Sequence, residues 1–408
     1  MKFFFPDSHD LVDPSFDFQK ESRALASNRQ RAQMYAHEIL KYPPYDGMLI
    51  SRAAVEKLKT SVHYTFGQVQ RLKRVGAREF LRLNEVPGGD KVEIMGDCGS
   101  FSFVKAHVPP FTVDSLVEFY TDCQFQYGIS LDHVILGFLK KPEEMEVPDD
   151  WKRRFDLTLA LAEEFFEKCT DRKVPFIPLG AAQGWSPKSY SDAVIAMQKI
   201  GYRYIALGGL VPLNNREVMS VLEAVEQVRK PETKLHLLGI SRIDHVQEFK
   251  KYGVASFDST SALKKAFMDD KDNYFIGDKT YTAVRIPQVG ENPGLKKKIL
   301  AGEIKQETAS ELEKLCLQGI QEFDRGQLSL SDIVNRVRTY ERLWHGKKDD
   351  SALYAETLEA KPWLRCPCEI CKTVGIQVVV FRGAERNRRR GFHNLHNLKT
   401  KLAEKNKL

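Results

Sequence analysis

The stretch VPFIPLGAAQGWSPKSYSDAVIAMQKIGYRYIALGG, residues 174–209, holds one full period of the pattern that decides the fold. Residues 174–179 form a short apolar run of strand character. Ser186-Pro187 has the form of a helix cap followed by proline at the first helical position, and the helix it opens is predicted to run to Gly201. Residues 202–207 are extended again, and Gly208-Gly209 close the unit.

The rhythm continues on both sides. Residues 151–168 read as an amphipathic helix, 215–229 as helix, 234–238 as strand, 243–252 as helix, 254–257 as strand, and helix resumes at Ala262. Upstream, residues 48–50, 92–95 and 127–131 are strand candidates. Together these make seven strands, and residues 376–381 are either an eighth or part of a terminal subdomain. An α/β fold with a (β/α)8 TIM-type barrel fits this count better than a doubly wound sheet. The expected division is a catalytic barrel over 1–295, a charged helical insertion over 296–350, and a C-terminal subdomain over 351–408 that either stands apart from the barrel or completes it.

Polar residues and glycines recur just past the strand ends: Asp97, Asp132, Gln183, Gly208 and Gly209, Gly239, and Asp258. In a parallel barrel these ends meet at one mouth, where barrel enzymes keep their active sites. Singly, each has an ordinary reading as a cap or a turn residue; their shared placement is what points to a site. One carboxylate of such a set can attack an anomeric carbon while a second moves the leaving group's proton. A further carboxylate, a carboxamide and backbone N–H groups can match the edge of a purine.

These residues resemble the tRNA-guanine transglycosylase superfamily. Its Asp-Ser-Gly-Gly-Phe motif is similar to Asp97-Cys98-Gly99-Ser100-Phe101, its base-recognising aspartate to Asp132, its Gln-Gly pair to Gln183-Gly184, its Gly-Gly-Leu to Gly208-Gly209-Leu210, and its nucleophile to Asp258 in Phe257-Asp258-Ser259. The resemblance implies Asp97 as general acid/base, Asp258 as nucleophile, and Asp132, Gln183, Gly208 and Gly209 around the base, to which the strand-end position of Gly239 adds that residue. It also implies a structural Zn2+ on Cys366, Cys368 and Cys371, with His393 as the favoured fourth ligand and His396 as the alternative, since His393-Asn394-Leu395 and His396-Asn397-Leu398 repeat one tripeptide. Three thiolates and one imidazole make a closed tetrahedron.

Departures from the tRNA enzymes mark a branch. Cys98 stands for the usual serine, Ser100 for the second glycine, and Ser259-Thr260-Ser261-Ala262 follows the nucleophile in place of Leu-Pro-Thr-Arg. With few residues after the zinc histidine, no archaeal-type RNA-binding domain is expected. With the opening run 2–18 and the run 388–394, these features resemble the DpdA-like transglycosylases. That resemblance implies a pentosyltransferase that exchanges guanine in DNA for 7-cyano-7-deazaguanine (preQ0). The alternatives are exchange in tRNA and a non-catalytic zinc and nucleic-acid-binding barrel, and a companion ATPase is a further possible partner.

Composition agrees with a soluble, cytoplasmic enzyme: 408 residues, 42% hydrophobic and 29% charged, with no apolar run long enough for a membrane span. Seven cysteines, four of them scattered singly, suit reduced thiols. The net charge of +7 is concentrated near the end, and Arg388, Arg389 and Arg390 are the expected nucleic-acid contacts.

Overall fold

A computed structural model describes residues 1–22, 32–56, 64–140, 146–240, 242–346 and 348–407. The chain divides into two compact units: residues 1–9, 45–260 and 402–408 form one, and residues 10–44 and 261–401 the other.

The first unit is a closed barrel of eight parallel strands in sequence order: β1 (Lys2–Pro6), β2 (Gly47–Ser51), β3 (Glu93–Asp97), β4 (Tyr127–Ile129), β5 (Ile177–Ala182), β6 (Tyr204–Leu207), β7 (Lys234–Leu237) and β8 (Val254–Asp258). The expected TIM-type barrel is therefore present. Its eighth strand is the opening Lys2–Pro6, which pairs with β2 on one side and with β8 on the other. Residues 376–381 belong to the second unit, where a 3-10 turn leads into the short strand Val380–Phe381.

Side-chain alternation explains how three consecutive phenylalanines close the barrel. Phe4 points inward and joins Leu49, Met95, Ile129, Leu179, Ala181, Tyr204 and Ala206 in the barrel's interior packing. Phe3 and Phe5 point outward; Phe3 stacks on Phe257 with ring centroids 5.3 Å apart, and Phe5 stacks on Tyr45 at 5.6 Å.

Local chemistry sets the helices between strands. Ser186 caps Pro187–Ile200 through the Ser189 N–H, with proline at the start, as the sequence predicts. Asn214 caps Asn215–Glu226 in the same way. The 23-residue helix Asp149–Asp171 begins with two acidic residues that suit the positive end of its dipole. Among the described residues, no helix is long and apolar enough to cross a membrane.

The second unit holds the helices Gln306–Asp324 and Leu330–His345, which pack on one another, and the long helix Gly383–Lys407, most of which lies in this unit. It also holds two small sheets, an antiparallel pair (Tyr274–Ile276 with Lys279–Tyr281) and a parallel pair (Val284–Arg285 with Val380–Phe381).

Candidate active site at the barrel mouth

The carboxyl ends of the barrel strands bring the expected polar residues to one mouth. Asp97 is the last residue of β3 and Asp258 the last of β8, while Gln183 directly follows β5 and Gly208 directly follows β6. Asp132 and Gly239 lie on the segments just after β4 and β7.

Asp132 is fully buried and held at both oxygens. The Cys98 thiol donates to Oδ1 at 3.0 Å, and the Gln183 carboxamide donates to Oδ2 at 2.6 Å. Gln183 is fixed in turn because its Oε1 accepts the Ile135 N–H at 3.2 Å. The close approach requires glycine at 208: a Cβ there would lie 2.1 Å from Gln183 Nε2. Gly209 has φ +73° and no room for a side chain against the Ile135 carbonyl, so only glycine makes this turn. Cys98, standing where serine is usual, is thus a donor to Asp132.

Burial, followed by the nearby Asp132 and Asp258 carboxylates, pushes the Asp97 carboxyl up to about 8, although the Gly99 and Cys98 N–H groups oppose the shift. At neutral pH this group holds a proton. Burial likewise raises Asp132, against the hydrogen bonds from Cys98, Gln183 and Ser100.

Asp258 Oδ1 accepts the Gly239 N–H at 2.9 Å and lies 3.2 Å from His236 Nε2. His236 is completely buried on β7, and its Nδ1 is 2.6 Å from Ser256 Oγ, which is 2.5 Å from the Tyr204 hydroxyl. Sequence reasoning missed His236, Ser256 and Tyr204. The available signal was a lone histidine inside the apolar run of β7, and a core histidine gives the same signal.

No family model matches the chain. A Salmonella montevideo protein, DNA-guanine transglycosylase, is 44% identical over 409 residues, which covers 98% of this chain and 96% of the relative. The chain belongs to the DNA-guanine transglycosylase family. It is accordingly an enzyme of the pentosyltransferase type, and the mouth described above is its candidate active site.

The enzyme's second unit carries the cysteine cluster. Cys366, Cys368, Cys371 and His393 are all buried, and their ligand atoms lie within 4.8 Å of one another. His393 Nδ1 is 3.4, 3.5 and 3.3 Å from the three sulfurs. A tetrahedral zinc with ordinary bond lengths puts sulfur and nitrogen about 3.6 Å apart, so the donor set and its spacing fit such an ion. His393 Nε2 is 2.6 Å from the Phe275 carbonyl, which fixes the proton on that nitrogen and leaves Nδ1 for a metal. Tyr274 stacks on the imidazole at 4.1 Å. His396, the alternative ligand, is instead hydrogen-bonded through Nδ1 to the Tyr42 hydroxyl.

Of the arginine run expected to contact nucleic acid, Arg389 and Arg390 are buried and Arg388 is partly exposed. Arg390 is fully buried and donates to the carbonyls of Ala266, Val378 and Val380. Arg389, 3% exposed, pairs with Glu385 at 2.6 Å and donates to the Asp13 carbonyl. Arg388 is bonded to Asp10 and the Leu11 carbonyl. These guanidiniums satisfy backbone carbonyls and carboxylates inside their own unit, and Arg389 and Arg390 have no surface to offer a phosphate.

Proposed function

We propose that this enzyme replaces guanine in DNA with a 7-deazaguanine, preQ0, by double displacement through a covalent aspartyl-sugar intermediate. The observation that carries the chemistry is the contrast between two neighbouring carboxyl groups. Asp97 is pushed up to about 8 and holds a proton, while Asp258, among the described residues, receives both its hydrogen bonds on Oδ1. Such a pair divides the roles of acid and nucleophile.

In the first half, Asp258 attacks C1′, the bond from C1′ to guanine breaks, and the Asp97 proton passes to the departing base. In the second, the incoming deazapurine returns a proton to Asp97 and its nitrogen displaces Asp258 from C1′. Asp132, Gln183 and the Gly209 N–H hold the base present at each stage, with Gly208 leaving the space for Gln183. C1′ is accessible only in an extruded or unpaired nucleotide, so the target base leaves the stack first. Zinc on Cys366, Cys368, Cys371 and His393 supplies a structural cross-link when bound and takes no part in these steps. DNA as the substrate is supported by the name of the relative, which is similar over nearly its whole length.

The test is incubation with labelled preQ0 and, separately, duplex DNA, single-stranded DNA and tRNA, followed by mass analysis of the nucleosides. Label in deoxynucleosides is the expected result, and label confined to tRNA overturns the DNA assignment. Asp258→Asn is expected to lose exchange by about 10,000-fold or more with unchanged metal content; exchange at the wild-type rate removes Asp258 from the nucleophile's role.

A further inference from the structure

The hydrogen bonds behind Asp258 have a definite direction. A carboxylate only accepts, so the ring nitrogen facing it, His236 Nε2 at 3.2 Å, carries the hydrogen. With one hydrogen on the ring, the other nitrogen, Nδ1, accepts the Ser256 hydroxyl hydrogen at 2.6 Å. Ser256 Oγ is left to accept the Tyr204 hydroxyl at 2.5 Å. The reverse direction would aim a lone pair of the ring at the carboxylate. Tyr204, Ser256, His236 and Asp258 thus form one chain of donors ending on Asp258 Oδ1, and all four are buried.

An irregularity in the sheet makes this alignment. Leu235 of β7 lies opposite Val254, yet His236 lies opposite Ser256, so β8 contributes one extra residue, Ala255, at this step. Without the bulge the histidine would be level with Ala255. A bulge of this kind re-aims side chains and recurs next to active sites. The Phe4 ring lies edge-on to the imidazole with centroids 5.9 Å apart, which limits its rotation.

Among the described residues, both hydrogen bonds to Asp258 end on Oδ1: His236 Nε2–H and the Gly239 N–H. The terminal torsion of an aspartate is soft. Two donors on one oxygen fix it and leave Oδ2 as the oxygen that faces an incoming carbon.

We propose that His236, oriented by Ser256 and Tyr204, is a positioning residue that selects Asp258 Oδ2 as the attacking oxygen and holds Oδ1 through the ester stage. This rests on the reading of Asp258 as nucleophile. When Oδ2 bonds to C1′, Oδ1 becomes the ester carbonyl. When the incoming base attacks C1′, the C1′–Oδ2 bond breaks, its electron pair returns to the carboxylate, and the two donors stabilise the charge that reappears. Gly239 still orients the carboxylate if the histidine donor is lost, so the loss falls mainly on departure of Asp258 from the sugar.

The experiment compares wild type, His236→Leu and His236→Gln at matched metal content and melting temperature. It measures kcat and KM for the incoming base together with the covalent DNA–protein adduct on denaturing gels. His236→Leu is expected to lose about 10- to 100-fold in kcat, the range of one hydrogen bond to an ionised group, with KM unchanged and more adduct at steady state. His236→Gln, which keeps an N–H donor, recovers most of the rate. Unchanged kcat in His236→Leu, a loss without added adduct, or equal loss in both variants overturns the proposal. Should His236→Leu not fold, Ser256→Ala decides: a several-fold lower kcat with more adduct supports the chain of donors, and a wild-type rate ends it. Absence of exchange by the wild type, or full exchange by Asp258→Asn, would instead defeat the reading beneath it.

Discussion

Asp97 carries the sharpest consequence at the scale of single residues. Its carboxyl, pushed to about 8 by burial and by its acidic neighbours, holds a proton in the folded chain that the unfolded chain releases near 3.8. The folded state therefore binds more protons between these values, and its stability falls as pH rises through that window. The slope from this group is at most about 1.4 kcal/mol per pH unit, reduced by the access Asp97 keeps to the mouth. Asp97→Asn is expected to melt higher than wild type at pH 7 and to lose less melting temperature between pH 5 and 8, as read by circular dichroism. Base release by the wild type is expected to decline above pH 8, where the acid has lost its proton; a flat profile from pH 7 to 9.5 would exclude Asp97 as the acid. Asp97, Asp132, Gln183 and Asp258 were legible in the sequence because each closes or follows a strand. His236, Ser256 and Tyr204 were not, because their meeting depends on the closure of the barrel and on a one-residue bulge in β8.

At the scale of elements, the strands from β3 to β8 and the helices between residues 149 and 258 were legible because each carries its own period, cap or turn, whereas the helix Val113–Asp122 was not read. The strand that makes the eighth, β1, was not legible either. Lys2–Pro6 is too short for a period, and its partner β8 lies about 250 residues away, so nothing local distinguishes it from an apolar stub. The long helix Gly383–Lys407 teaches the converse lesson. Its arginines resemble a phosphate-binding run, yet Arg389 and Arg390 are buried and serve as donors to Asp13, Ala266, Val378 and Val380 carbonyls. Reversing their charge is therefore a folding lesion: Arg390→Glu is expected to cost about 3–5 kcal/mol, since it buries a carboxylate among carbonyl oxygens. Urea denaturation checks this. A variant that keeps wild-type stability and changes only the salt dependence of DNA binding would restore the nucleic-acid reading.

At the scale of the molecule, the cluster of three cysteines and a histidine lies in a compact unit that extends well beyond residues 351–408. Cys366, Cys368, Cys371 and His393 sit in the unit formed by residues 10–44 and 261–401. That unit buries Ile320, Ile333, Val337, Tyr340, Tyr354, Leu358, Trp363 and Phe392, so it has apolar packing independent of any ion. Loss of a metal held there would then remove one cross-link from a cored unit. A zinc-finger peptide, by contrast, unfolds outright because binding supplies nearly all of its folding free energy. One zinc per chain is expected by elemental analysis, and Cys368→Ser is expected to lose it. The metal-free protein should keep its helical signal at 25 °C and melt roughly 10 °C lower, the shift that ~4 kcal/mol produces in a body of 150–250 residues. Limited proteolysis should cut first within residues 261–401 and leave 45–260 intact, because none of the four ligands lies in the barrel. Complete loss of helical signal on chelation would mean that the ion, rather than this core, holds the unit.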